Sequence, residues 1–128
     1  MEITHVSDKK DKYCNCVFYA RDKVPGLPTG LVTLVDKENI INSQDPQKGD
    51  VAIMAIGEYG HVGVVKSIMS EGRIEIKEAN YKSCRKTVRN GTEREMSIIG
   101  YWSPNYEDKK KEVLVDACEH LLALIKDL

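Results

Sequence analysis

Three elements of this chain each carry one reactive side chain at an end, and any fold must reconcile the burial of those groups with their chemistry. Cys16 opens an apolar helical stretch, Asn15-Cys16-Val17-Phe18-Tyr19-Ala20-Arg21. His61 opens a strand, Gly60-His61-Val62-Gly63-Val64-Val65, and Glu78 and Asn80 close another, Ile74-Glu75-Ile76-Lys77-Glu78-Ala79-Asn80. Along that last strand Ile74, Ile76, Glu78 and Asn80 share one face, while Arg73, Glu75 and Lys77 share the other. Glu78 therefore falls on the core-facing side, where an unpaired carboxylate is costly. It needs a partner.

A thiol at a helix start, an imidazole on a strand and a carboxylate or amide on the next supply a nucleophile, a base and an orienter from three separate elements. That is the chain order of a papain-like cysteine hydrolase. The helix start lowers a thiol pKa because unpaired backbone N–H groups and the helix dipole favour negative charge there. The Cys16 N–H is also well placed to stabilise the oxyanion of an acyl intermediate. His61 would deprotonate Cys16 and later protonate a leaving amine, with Glu78, or failing that Asn80, fixing its tautomer.

The 128 residues make one domain with a single core, and 41% hydrophobic with 30% charged residues suits a soluble globular chain. A net charge of -1 gives no general affinity for nucleic acid or an anionic membrane. No segment reaches transmembrane length, and no signal peptide is visible before Lys9-Lys10-Asp11-Lys12. The expectation is cytoplasmic synthesis followed by export along another route, or a mature or excised form. Cys14, Cys16, Cys84 and Cys118 are too few for a disulfide-built scaffold, and Cys14 and Cys16 are too close to bridge, so all four read as reduced thiols.

Residues 1–13 read as coil, and residues 15–21 as a central helix buried on more than one side, stopped by Val24-Pro25-Gly26-Leu27-Pro28-Thr29-Gly30. Leu31, Leu34 and Val35 give residues 31–41 a weak helical pattern. Asp45 to Asp50 is a strong turn launching a short buried strand, Val51 to Ile56. Ser70-Glu71-Gly72 makes a hairpin, and Asn90-Gly91 predicts another before a last strand, Met96 to Trp102. Glu107 to Leu128 reads as a helix with Leu114, Cys118, Leu121, Ile125 and Leu128 in steps of four and three. It would dock on its own domain or pair two copies.

With these segments in view the chain resembles CHAP domains, the cysteine, histidine-dependent amidohydrolase/peptidase group of bacterial and phage cell-wall hydrolases. Cys16-Val17-Phe18-Tyr19 matches the family's Cys-x-x-Tyr helix start, with Asn15 where Gln is frequent, and Val24 to Pro28 resembles the loop that follows. Pro46-Gln47-Lys48-Gly49-Asp50-Val51-Ala52 matches its P-x-x-GDVA strand entry. Gly60 to Val65 matches GHVAVV, with Gly63 replacing the usual Ala, and Glu78-Ala79-Asn80-Tyr81 matches E-x-N-Y. Gly100 to Pro104 resembles the closing strand, so the resemblance covers roughly residues 13–104.

The resemblance implies an α+β papain-like core with an N-terminal helix packed on an antiparallel β-sheet, over residues 1–106, plus an extra C-terminal amphipathic helix at 107–128. It implies a triad of Cys16, His61 and Glu78, with Asn80 alongside, acting on peptidoglycan as a muramoyl-alanine amidase or an endopeptidase. No cofactor is needed. Some family members hold calcium just before the nucleophile, but here only Asp8 and Asp11 lie there among lysines, so no metal is expected. Asn15, Tyr59, Tyr81 and Trp102 are candidates for binding substrate, the aromatics because exposed rings suit a sugar- or peptide-binding groove. The basic cluster Lys82, Arg85, Lys86 and Arg89 reads as a solvated hairpin face or as a contact for anionic wall polymer.

Rival readings are a papain-like amidase on another peptide or small conjugate, and an inactive binding module. Cys14 is a competing nucleophile, and a zinc site from Cys14, Cys16, Cys84 and a histidine is conceivable, though its spacing matches no common ligand pattern. The protein would be a monomer, or a homodimer through the C-terminal helix, with its site of action at the bacterial cell wall.

Overall fold

The structure, a computed structural model, describes residues 1–107, 119–123 and 125. Most of the expected C-terminal helix, Cys118 included, lies outside these residues. Where its apolar stripe is described, Leu121 and Ile125 are exposed.

The chain is α+β. Strand β1 (Glu2–Val6) precedes a 3-10 turn (Asp11–Tyr13), helix α1 (Cys16–Lys23) and a short helix α2 (Leu34–Glu38). Five strands follow: β2 (Val51–Met54), β3 (His61–Ile68), β4 (Arg73–Ala79), β5 (Lys86–Thr92) and β6 (Ile98–Trp102). They form one antiparallel sheet in the order β1-β5-β4-β3-β2-β6. The apolar run of β2 is buried at every position, as a strand covered on both faces must be. Strand β4 alternates as its sequence requires, with Ile74, Ile76 and Glu78 buried.

The core has two layers. On one side Val17 and Ala20 of α1, with Leu27 and Leu31 behind it, pack on Val51, Ile53, Val62 and Val64. On the other, Ala52, Met54, Val65, Ile74 and Ile76 meet Met96, Ile98 and Tyr101. Gly63 sits at a close approach: a Cβ there would lie 2.4 Å from Ile76 Cγ2 and 3.2 Å from Glu78 Cβ. This packing accounts for glycine at a position where the family resemblance leads one to expect alanine.

Several expectations change. Residues 2–6 are not coil but an edge strand paired with β5; most of their side chains are exposed, so the segment carries little hydrophobic signal. Asn90-Gly91 is no turn. Both residues lie inside β5, opposite Glu75 and Ile74, and the chain reverses over residues 93–97 instead. Met96 packs so closely on Gly91 that a Cβ there would be 3.1 Å from its Cγ, and this tertiary contact outweighs the local turn preference. Helix α1 is buried on one side, not all round, because Phe18 is 66% exposed. The 31–41 pattern narrows to α2, capped by Thr33 and Asp36 in a capping box, with Val35 exposed and Lys37 buried.

The reading of four reduced thiols fails for one pair. Cys14 and Cys84 form a disulfide across a sequence separation of 70, while Cys16 is free. The segment before α1 runs beside the loop after β4, with the Lys10 N–H donating to the Cys84 carbonyl at 2.9 Å, and this brings the two sulfurs together. The bond removes both the competing nucleophile Cys14 and the conceivable zinc set, since neither sulfur is a free thiolate. A bridge closing so long a loop contributes about 2–4 kcal/mol, largely by constraining the unfolded chain. Cys84→Ser should therefore lower the unfolding free energy measured in urea by that amount, and a stability equal to wild type under oxidising conditions would contradict the bond.

Candidate active site

The site is assembled at the start of α1. Asn15 caps the helix, its side-chain oxygen accepting the N–H groups of Val17 (2.9 Å) and Phe18 (3.0 Å). Its carbonyl accepts the Tyr19 N–H at 3.2 Å, which leaves the Cys16 N–H out of the cap. Asn15 lines the groove as expected, with its side-chain oxygen committed to the helix. His61 enters from Gly60, whose positive φ of 68° and close approach to Leu34 suit only glycine.

His61 Nε2 lies 3.0 Å from Glu78 Oε1. With Nε2 committed to Glu78, the ring still interacts electrostatically with the Cys16 thiol, and the two side chains line the same groove. Burial alone would push the Cys16 thiol up, but the hydrogen bond and charge of His61 outweigh it. The Val62 backbone and the more distant Lys37 charge add to that effect, so the net pKa is below an ordinary thiol's. For His61, burial disfavours the imidazolium, yet hydrogen bonds and charges from Cys16 and Glu78 prevail and the pKa rises. Both shifts favour a thiolate beside an imidazolium.

Glu78 has 0% exposure and Arg89 1%. Arg89 Nε lies 2.9 Å and 3.0 Å from the two carboxylate oxygens, and Nη2 lies 2.8 Å from Oε1. The guanidinium also stacks on Tyr81, 3.8 Å from its ring centroid, and the Tyr81 and His61 rings are 6.1 Å apart. Asn80, the alternative orienter, is exposed in a left-handed conformation (φ 65°), and its side-chain oxygen accepts the Cys84 N–H at 2.9 Å. Glu78 thus holds the imidazole, and Asn80 shapes the loop.

Cys16 and His61 open onto a groove of about 780 Å³ that Asn15, Tyr59, Asn80 and Tyr81 also line. Trp102 is placed elsewhere: half-buried on β6 opposite Val51, it packs against the core below α1. The groove walls are tied by Lys37, only 2% exposed. Its ammonium donates to the carbonyls of Leu31 (3.1 Å) and Val32 (3.1 Å) on one side and Tyr59 (2.6 Å) on the other. Burial lowers the Lys37 pKa, against the opposing charges of Cys16 and Asp36.

Arg89 and Lys37 are the residues that sequence reasoning missed. Arg89 was grouped with Lys82, Arg85 and Lys86 as a solvated or polymer-facing cluster, and the structure corrects this by burying it. Arg85 too is partly engaged, donating to the Ser7 carbonyl at 2.8 Å. The signal for Arg89 was the alternation Thr87, Arg89, Gly91, legible only once β5 runs through Asn90-Gly91. Among the described residues no three His, Cys, Asp or Glu side chains are grouped to hold a metal ion.

The CHAP domain family matches residues 7–80. A protein named Probable autolysin LDP, from Staphylococcus aureus (strain NCTC 8325 / PS 47), is 34% identical over 94 residues, covering 62% of this chain and 34% of that protein. The chain thus spans about a third of the length of that relative. A solved structure described as the crystal structure of Ly7917 superposes with a TM-score of 0.49 at 18% identity, covering 75% of this chain and 54% of that one.

Removing one partner of a buried ion pair costs about 3–5 kcal/mol, because the other charge is left in the core. Arg89→Met should lose that much stability in urea unfolding, and the double variant Glu78→Gln/Arg89→Met should recover part of it. A loss below about 1 kcal/mol, as for an exposed pair, would contradict the buried arrangement.

Proposed function

The chain belongs to the CHAP domain family, and from that premise we propose that it hydrolyses an amide bond of bacterial peptidoglycan through a thioester on Cys16. The observation that carries this reading is the buried line of contacts His61–Glu78–Arg89, with Cys16 beside His61 in the lining of the same groove. The core is then read as papain-like, with the nucleophile at the start of α1 and the base and acid on strands of the antiparallel sheet. Residues 1–106 form the catalytic domain.

The Cys16 thiolate attacks the scissile carbonyl carbon, and the Cys16 N–H, left out of the helix cap, helps hold the oxyanion. Collapse of the tetrahedral intermediate breaks the C–N bond while His61 gives its proton to the leaving amine. The acyl group remains on sulfur. Neutral His61 then takes a proton from water, whose oxygen attacks the thioester, and Cys16 departs as thiolate to leave a carboxylic acid product. Glu78, held by Arg89, keeps the ring aligned through both proton transfers. No cofactor enters these steps.

The bond cut is the muramoyl-alanine amide or a peptide bond of the stem or cross-bridge; the residues above serve either. The Cys14–Cys84 disulfide favours action outside a reducing cytosol, in keeping with a substrate in the cell wall.

Mass spectrometry of fragments released from purified peptidoglycan tests this. Cys16→Ala should reduce release by several orders of magnitude, as loss of a triad nucleophile does. Unchanged release by the variant would refute the assignment, and the new termini produced by wild type identify the bond.

A further inference from the structure

Beside the catalytic groove lies a second cavity of about 380 Å³, and Phe18 lines both. Its other walls are Lys12, Tyr13, Tyr19, Asp22, Lys23 and Lys86. The three lysines come from different elements: the 3-10 turn before α1, the end of α1 and the start of β5. Three lysines and one carboxylate thus line it, in a chain whose formal net charge is -1.

That carboxylate, Asp22, is 3.6 Å from Lys23. Lys12 and Lys23 also rest on aromatic faces, 5.2 Å from the Tyr13 centroid and 5.6 Å from the Tyr19 centroid, and the two rings meet edge to face at 6.1 Å. A cation held on a ring face uses no hydrogen-bond acceptor, so its N–H donors stay available to an incoming anion. The positive charge extends beyond the cavity. On β4 the Lys77 pKa is lowered, first by burial and then by the like charges of Lys23, Lys66, Lys48 and Lys86.

We propose that this cavity is a subsite for an anionic oxyacid group, carboxylate or phosphate, carried by the same wall polymer whose amide is cut at Cys16. The proposal rests on the hydrolase reading of the groove. Phe18, 66% exposed between the two cavities, is the apolar sill that the polymer crosses. Of the basic cluster apparent in the sequence, only Lys86 contributes here; its companions Lys12 and Lys23 are remote in the chain.

The test uses the triple variant Lys12→Gln/Lys23→Gln/Lys86→Gln, with Lys12 and Lys23 exposed and Lys86 half-buried. The half-saturating concentration of purified peptidoglycan for fragment release should rise about tenfold at low salt, as the loss of three exposed ion pairs gives. The maximal rate should stay near wild type, and the difference should shrink at high salt. Peptidoglycan stripped of phosphate polymers separates the sources: a tenfold difference that persists identifies a peptide carboxylate, and one that vanishes identifies a phosphate. Equal half-saturation and equal salt dependence for the variant and an active wild type would overturn the subsite. If wild type releases no fragments, yet Cys16→Ala protein sediments with the wall and the added triple change abolishes this, the hydrolase reading fails and the anion site stands.

Discussion

A carboxylate with no exposure to solvent sits near the centre of this sheet, and the Arg89 guanidinium that embraces both its oxygens makes that burial tolerable. Desolvating either charge alone would cost several kcal/mol, whereas together, with bidentate geometry, each offsets the other. The consequence reaches outward. Because Glu78 cannot turn away from Arg89, its Oε1 presents a fixed acceptor to His61, which lines the groove beside Cys16. On the proposed mechanism, a core ion pair aims a surface nucleophile.

The groove around that nucleophile is held by polar ties, not by regular structure. The Asn15 side chain ends the helix at Cys16, Lys37 clamps the carbonyls of two loops, and the Cys14–Cys84 bond joins the segment before α1 to the loop after β4. Each tie fixes a loop by satisfying groups that would otherwise be buried and unpaired or free to move. Helix α1 can therefore be short, since its position is set from both ends. Gly63 shows the same economy of space, because Ile76 and Glu78 occupy the volume that a side chain there would need.

Much of the candidate site was legible in the sequence because it follows local periodicity. Alternation along Arg73 to Ala79 placed Glu78 inward, and the apolar stretches that open at Cys16 and His61 put those groups at the starts of a helix and a strand. What escaped depends on contacts between distant segments. The Asn90-Gly91 dipeptide has the local character of a turn, and only packing against Met96 and pairing with β4 keep it extended. Losing that strand hid Arg89, so the need of Glu78 for a partner was foreseen without the partner being identified. The Cys14–Cys84 bond and the Lys37 clamp were hidden for the same reason: neither has a signal within a window of neighbours.

On the proposed mechanism His61 holds Cys16 as a thiolate, and the pH dependence of Cys16 alkylation reads that state out. The rate with iodoacetamide, followed at Cys16 by peptide mass spectrometry, should rise with an apparent pKa below that of an ordinary thiol. His61→Ala should move that pKa upward, because burial then acts without its compensating partner. A wild-type profile like that of a free cysteine, unmoved by the histidine substitution, would contradict the account.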